Sequence, residues 1–180
     1  NDNFRARGTI RGNGEETEEI DNILTGKHEV VHSYGWYIRK YAEEAKAKKA
    51  TAIVLSPIPR NDWSDGKVLL SNDSYGKWAK EAASGVKAGF IDLNRLVASK
   101  YEAIGPDRVS DFFPVDHTHT NRAGARLNAF TVAEGIRDLK GCRLSAYLSA
   151  DLKQNAGKPA VKTEFPVTRF GAVGDGKTLN

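Results

Sequence analysis

Asp116-His117-Thr118-His119 packs more chemistry into four residues than any other part of the chain. Asp116 and His119 stand three apart in a polar stretch, residues 113–121, that leads into a segment of helical apolar period. A single turn can bring such a carboxylate onto the imidazole. There it fixes the tautomer, stabilises the imidazolium, and leaves the second ring nitrogen free as a general base. Three readings stand side by side. One is the Asp–His half of a Ser–His–Asp triad. Another is a metal site of two histidines and an aspartate, against which adjacent positions 116 and 117 rarely point at one ion. The third is a structural loop in which Thr120 or Asn121 caps the helix that follows.

Other candidates carry less. Glu15, Glu16, Glu18 and Glu19 form an acidic patch too contiguous to converge on one ion, and read as a solvated surface. Cys142 is the only cysteine, which excludes an internal disulfide and any multi-cysteine metal site, and reads as a buried or semi-buried free thiol. Gly171-Ala172-Val173-Gly174-Asp175-Gly176-Lys177-Thr178 matches the letters of a phosphate-binding loop. That motif needs a helix after it, and the sequence stops two residues past Thr178.

The elements that must hold residues 116–119 follow from periodicity. Residues 1–31 read as loop, punctuated by Gly8, Gly12 and Gly14. Over residues 32–49, Tyr34, Tyr37, Ile38, Tyr41 and Ala45 recur at helical spacing. Residues 52–55 are a short apolar run suited to a strand buried on both faces, as in a parallel sheet. Residues 59–70 form an excursion containing Asp65-Gly66, then a helix is expected over 74–84, a second strand over 88–93, and a helix over 94–101 that ends at Gly105-Pro106. A final long helix is expected over 122–140, with Ala123, Leu127, Phe130, Ile136 and Leu139 on one face and Gly141 at its end. Alternating strands and helices argue for a parallel sheet wrapped by helices. Residues 150–164 lack an apolar period and read as a linker, with order expected again over 165–180.

Composition bounds the partners. The 180 residues suit one α/β domain, with 39% apolar and 28% charged residues. No run approaches the ~18 apolar residues of a membrane helix, so no membrane partner is expected. The net charge of +4 is scattered, and no basic stripe with interleaved aromatics marks a nucleic-acid surface. Lys46, Lys48 and Lys49 cluster at a helix end, where cations complement the dipole. No basic-then-apolar leader opens the chain, and an exported protein would carry its signal upstream of Asn1.

The block Phe113-Pro114-Val115-Asp116-His117-Thr118-His119-Thr120-Asn121-Arg122-Ala123-Gly124-Ala125 resembles the closing block of SGNH hydrolases of the rhamnogalacturonan acetylesterase type. Asn1-Asp2, Arg5-Ala6-Arg7-Gly8-Thr9, Gly14-Glu15-Glu16-Thr17-Glu18-Glu19, Tyr34-Gly35-Trp36-Tyr37, Ser56-Pro57-Ile58-Pro59-Arg60 and Phe90-Ile91-Asp92-Leu93 resemble further segments of that family, in order. The similarity covers residues 1–149. It implies an α/β fold, a three-layer α/β/α sandwich with a parallel sheet, truncated on its N-terminal side. It implies His119 as base, Asp116 as its orienting carboxylate and Asn1 as an oxyanion donor. His117 matches the variable interior of the motif, with a structural or substrate-side role. Arg5, Arg7 and Arg60 are candidate contacts for galacturonate carboxylates, with surface or scaffold roles as the alternative. The implied substrate is acetylated pectin, an acidic plant cell-wall polysaccharide, with no cofactor, in a secreted or periplasmic protein. Residues 165–180 resemble the opening of polygalacturonase and pectate-lyase-like β-helix proteins, in which these glycines make tight turns.

One departure from the family stands out. Its nucleophile lies in a Gly-Asp-Ser block, and the chain contains none, nor a Gly-x-Ser-x-Gly elbow. Ser33 and Ser56 have no activating context. The chain alone is therefore expected to be inactive as an esterase. The alternatives are a catalytically dead carbohydrate-binding or spacer module attached to a pectin hydrolase, and a nucleotide hydrolase built on residues 171–178.

Overall fold

Strand pairing begins where the sequence suggested only loop. Thr17–Asn22 (β1) and Lys27–His32 (β2) form an antiparallel hairpin with Asp21 opposite His28. Ile20, Asn22 and Val31 point inward while Glu19 and Asp21 face solvent. The period-two signal is hidden because one inward position is a polar Asn22. Its amide is satisfied: Oδ1 accepts the Leu24 N–H at 2.9 Å, and Nδ2 donates to Glu29 at 3.0 Å. The computed structural model describes residues 8–150, so Asn1, Arg5, Arg7, the 150–164 linker beyond Ala150 and the 165–180 segment lie outside the described residues. The described residues divide into two units, one made of residues 8–57 and Leu70–Asn94, the other of Ile58–Leu69 and residues 95–150.

In the first unit, Tyr34–Ala47 forms α1, capped by Ser33, whose Oγ accepts the Trp36 N–H at 3.1 Å and donates to the Gly14 carbonyl at 2.6 Å. The buried face differs from the expected one. Tyr41 is 70% exposed, and Gly35 and Ala42 are buried instead. Small residues decide this. A Cβ on Gly35 would meet the Cα of Asn13 at 2.8 Å, so the chain before β1 lies directly on the helix. Helix α2, Tyr75–Gly85, packs against α1 and likewise buries Gly76, Ala79, Ala82 and Ala83.

Ile53–Leu55 (β3) and Gly89–Ile91 (β6) pair in parallel, Val54 opposite Phe90, and α2 packs on both strands. All three β3 residues are half-buried, not sealed on both faces as expected. Among the described residues each of these strands pairs only with the other. Past the ends of the pair, the buried Ser56 Oγ accepts the Asn94 N–H at 2.9 Å and donates to Asp92 at 3.0 Å.

In the second unit, the excursion expected over 59–70 is residues 58–69 and forms a hairpin, Trp63–Ser64 (β4) with Lys67–Val68 (β5). Its turn, Asp65 at φ 49° and Gly66 at φ 73°, has the two positive φ values of a type I′ connection. Glu102 of α3, Leu93–Ile104, holds it by accepting the Val68 N–H at 3.2 Å and pairing with Lys67 at 3.1 Å. Pro106 ends one helix and begins another: it is the first residue of the short α4, Pro106–Ser110. Helix α5 runs over Arg122–Asp138, capped by Asn121, which accepts the Ala123 and Gly124 N–H groups.

The buried stripe of α5 is Gly124, Leu127, Asn128, Thr131 and Gly135, so the helix is rotated from the expected apolar face, and Ala123 is exposed. Two contacts set that rotation. A Cβ on Gly124 would lie 2.9 Å from Cβ of both Phe112 and Thr120, and Asn128 accepts the Tyr101 hydroxyl at 3.2 Å. Burial pushes the Tyr101 phenol up to about 12 despite that bond. Tyr101, Val97, Val109, Phe113 and Leu127 form the surrounding core. Cys142 is buried and free, just before a 3-10 turn, Arg143–Tyr147.

Candidate active site

The loop between Phe113 and Asn121 is anchored at both ends. Phe113 is buried against the Tyr101 ring, and the Asn121 N–H donates to the Phe112 carbonyl at 2.7 Å. The Asn121 side chain adds a bond to the Asp111 carbonyl at 2.7 Å. Gly124 allows the first turn of α5 to lie against Phe112 and Thr120, which bracket the loop.

Inside the loop the Asp116 carboxylate is the organising group. Its Oδ1 accepts the backbone N–H groups of Thr118 and His119, each at 2.7 Å. Its Oδ2 lies 2.7 Å from Nδ1 of His119. The His119 ring, then the two backbone donors, hold the Asp116 acid well below the usual carboxylate range. An ionised carboxylate only accepts, so the proton of this bond sits on Nδ1. In the neutral ring Nε2 then carries a lone pair. The His119 side chain is 80% exposed and that of Asp116 40%, so Nε2 is open to an incoming hydroxyl or to water.

The neighbouring histidine turns elsewhere. His117 Nδ1 lies 2.7 Å from Asp62 Oδ1, and its carbonyl accepts the Asn61 N–H at 2.8 Å. The structure thus joins Asp116 to His119 and sends His117 to the 58–69 excursion. Among the described residues no three His, Cys, Asp or Glu side chains are placed to hold a metal ion. The two other histidines lie in the first unit. His28 sits between Asp21 and Glu19 on the hairpin, and His32 stacks on Trp36 at 3.6 Å between ring centres. Arg60 is exposed on the excursion beside Asn61. The hydroxyls of Ser33 and Ser56 are fully engaged as helix cap and strand-end clamp, and neither is available as a nucleophile. Sequence reasoning missed the Asp62 contact. The two residues are 55 apart, and the available signal was the Asp65-Gly66 turn that folds the excursion back on itself.

Over 129 residues the chain is 33% identical to the rhamnogalacturonan acetylesterase of Emericella nidulans, covering 72% of this chain and 51% of the relative. The chain is homologous to rhamnogalacturonan acetylesterases. A second relative, the probable rhamnogalacturonan acetylesterase YesY of Bacillus subtilis, is 27% identical over 112 residues, 59% of this chain and 52% of that protein. The chain therefore spans about half the length of these acetylesterases. The crystal structure of protein YXIM from Bacillus subtilis matches with a TM-score of 0.50 at 31% identity, covering 54% of this chain and 29% of that one. Helices α1 and α2 pack on the parallel strand pair, a mixed α/β arrangement consistent with an SGNH hydrolase-like fold. No family profile matches the chain. Among the described residues no helix is long and apolar enough to cross a membrane.

Proposed function

We propose that the chain carries the acid–histidine part of a serine esterase that removes acetyl groups from the rhamnogalacturonan of pectin. The observation behind this reading is the 2.7 Å bond between Asp116 Oδ2 and His119 Nδ1, which leaves Nε2 outward, in a chain homologous to rhamnogalacturonan acetylesterases. Nε2 takes the proton of a serine hydroxyl as its oxygen attacks the acetyl carbonyl. Asp116 stabilises the imidazolium, which then protonates the departing sugar oxygen. Water, activated by the same nitrogen, releases acetate and restores the serine. Asn1 is assigned to the oxyanion, where a side-chain N–H lowers the barrier as charge develops. None of these steps needs a metal or organic cofactor.

The serine is assigned to the part of the acetylesterases' length that the chain does not span, since residues 1–180 hold no Gly-Asp-Ser. The members of a triad act as a unit, so the pair alone gains little. The 180-residue chain is expected to hydrolyse aryl acetates no faster than its His119→Ala variant, whereas the full-length gene product loses its rate on that substitution. A His119-dependent rate in the short chain would place the nucleophile within it and overturn the assignment of the serine. A full-length product indifferent to His119→Ala would end the esterase reading of the pair. We further assign residues 165–180 to the start of a polygalacturonase-like module and the protein to a secreted or periplasmic location, where pectin is met.

A further inference from the structure

We propose that Asp62 and His117 form a latch that holds the 116–119 loop in its working shape, making Asp62 a positioning residue for the chemistry of His119. The proposal rests on the reading of Asp116 and His119 as the orienting acid and the base. Its ground is where His117 sits: between Asp116 and Thr118, in the middle of the turn whose geometry sets the pair. That residue is held twice by the 58–69 excursion, through its ring on Asp62 at 2.7 Å and through its carbonyl on the Asn61 N–H at 2.8 Å. Both bonds oppose any rotation of the backbone at position 117 that would carry Asp116 away from His119.

The excursion is itself stiff enough to serve as an anchor. Trp63 Nε1 donates to Asn61 Oδ1 at 2.7 Å, and the Leu69 N–H donates to the Asp62 carbonyl at 2.8 Å. Glu102 then ties β5 to α3. A continuous path of bonds thus runs from a helix through Asp62 to the loop. Apolar burial does not substitute for it, because Val115, at the flank of the tetrapeptide, is 87% exposed. The remaining bonds of Asp116 are all made within four residues and constrain the turn only against itself.

The test separates loop order from catalysis. Hydrogen exchange of the Thr118 and His119 amides, read by NMR in the 180-residue chain, reports the turn directly, with the buried Leu127 and Thr131 of α5 as internal controls. Asp62→Ala is expected to speed exchange at Thr118 and His119 on the order of tenfold, the factor that one lost hydrogen bond of ordinary strength represents, without moving the α5 amides. Asp62→Asn keeps an acceptor for His117 and is expected to retain most of the protection. In the full-length gene product, Asp62→Ala is expected to lower kcat about 10- to 100-fold with KM unchanged, as misplacement of a base does, and Asp62→Asn to restore most of it. Unchanged exchange at both amides in Asp62→Ala overturns the latch. So does faster exchange with an unchanged kcat in a product whose His119→Ala variant is inactive. If His119→Ala keeps its full rate, the acid–base reading is what fails, and the exchange result still decides the latch.

Discussion

Replacing Asp116 by asparagine perturbs one atom and leaves the turn in place. Asn Oδ1 can still accept the Thr118 and His119 N–H groups that Asp116 Oδ1 accepts at 2.7 Å. The atom facing His119 changes from an acceptor to an NH₂ donor. A neutral imidazole answers by accepting at Nδ1 and moving its proton to Nε2, the wrong tautomer for a base. The imidazolium also loses the charge beside it. General-base catalysis is worth about 10²–10⁴ in rate, and loss of the orienting carboxylate in a triad reaches the upper end. A kcat drop of about 10²–10⁴ is therefore expected where the ring acts as base, with KM unchanged. The assay is twofold: nitrogen NMR of His119 for the tautomer, and hydrolysis of an aryl acetate by the full-length gene product. If Nδ1 stays protonated in Asp116→Asn while kcat falls, the tautomer argument is wrong. Should kcat not fall, Asp116 is not the orienting acid.

Three further outcomes follow from individual contacts. Gly124→Ala puts a methyl 2.9 Å from Cβ of Phe112 and Thr120, so a loss of about 1–3 kcal/mol is expected in denaturant unfolding, with the loop shifted; full stability would mean the approach is loose. The Asp116 acid is depressed, so its hold on the loop is fully present above the free value of 3.8 and is lost only as pH falls through the lowered one; the carboxyl carbon shift of Asp116 should therefore show no protonation down through pH 3.8, and protonation of that carboxyl at or above that value refutes the depression. His28 is raised, by Asp21 first and then Glu19, so its contribution to the hairpin is present below 6.5 and fades as pH rises through the raised value. In an NMR titration Asp21→Asn should bring His28 back toward 6.5 by more than Glu19→Gln does.

What could be read ahead of the structure was what is local. Asp116 and His119 are three apart, so one turn suffices to join them, and a cap at Thr120 or Asn121 follows from their place before an apolar period, Asn121 being the one that caps. The existence of α1, α2 and α5 was readable for the same reason. Which face each helix buries was not, because small residues decide it: Gly35 against Asn13 and Gly124 against Phe112 admit a neighbouring segment that no hydrophobicity pattern announces. The β1–β2 hairpin escaped notice because charged residues alternate with an inward Asn22, and β4 and β5 are two residues long, below any window in which a period can be seen. The Asp62–His117 bond joins positions 55 apart and depends on the fold of the excursion.

The bonds that shape the pair come from one unit of the structure: Asn61 and Asp62, the loop itself, and the capped start of α5. Among the described residues none of these bonds involves a serine hydroxyl. The pair is thus preorganised by its own neighbourhood, and on the proposed reading of Asp116 and His119 as acid and base its geometry costs nothing further when a nucleophile arrives. Preorganisation on an exposed surface accelerates little, since water competes for Nε2 and screens the imidazolium that Asp116 stabilises. The rate must come from what encloses the ring and presents a hydroxyl to Nε2 at hydrogen-bond distance. On this argument the pair forms with or without the serine, and only the rate depends on it. Asp116→Asn should therefore change the His119 tautomer equally in the 180-residue chain and in the full-length gene product, while its effect on hydrolysis is seen in the second alone.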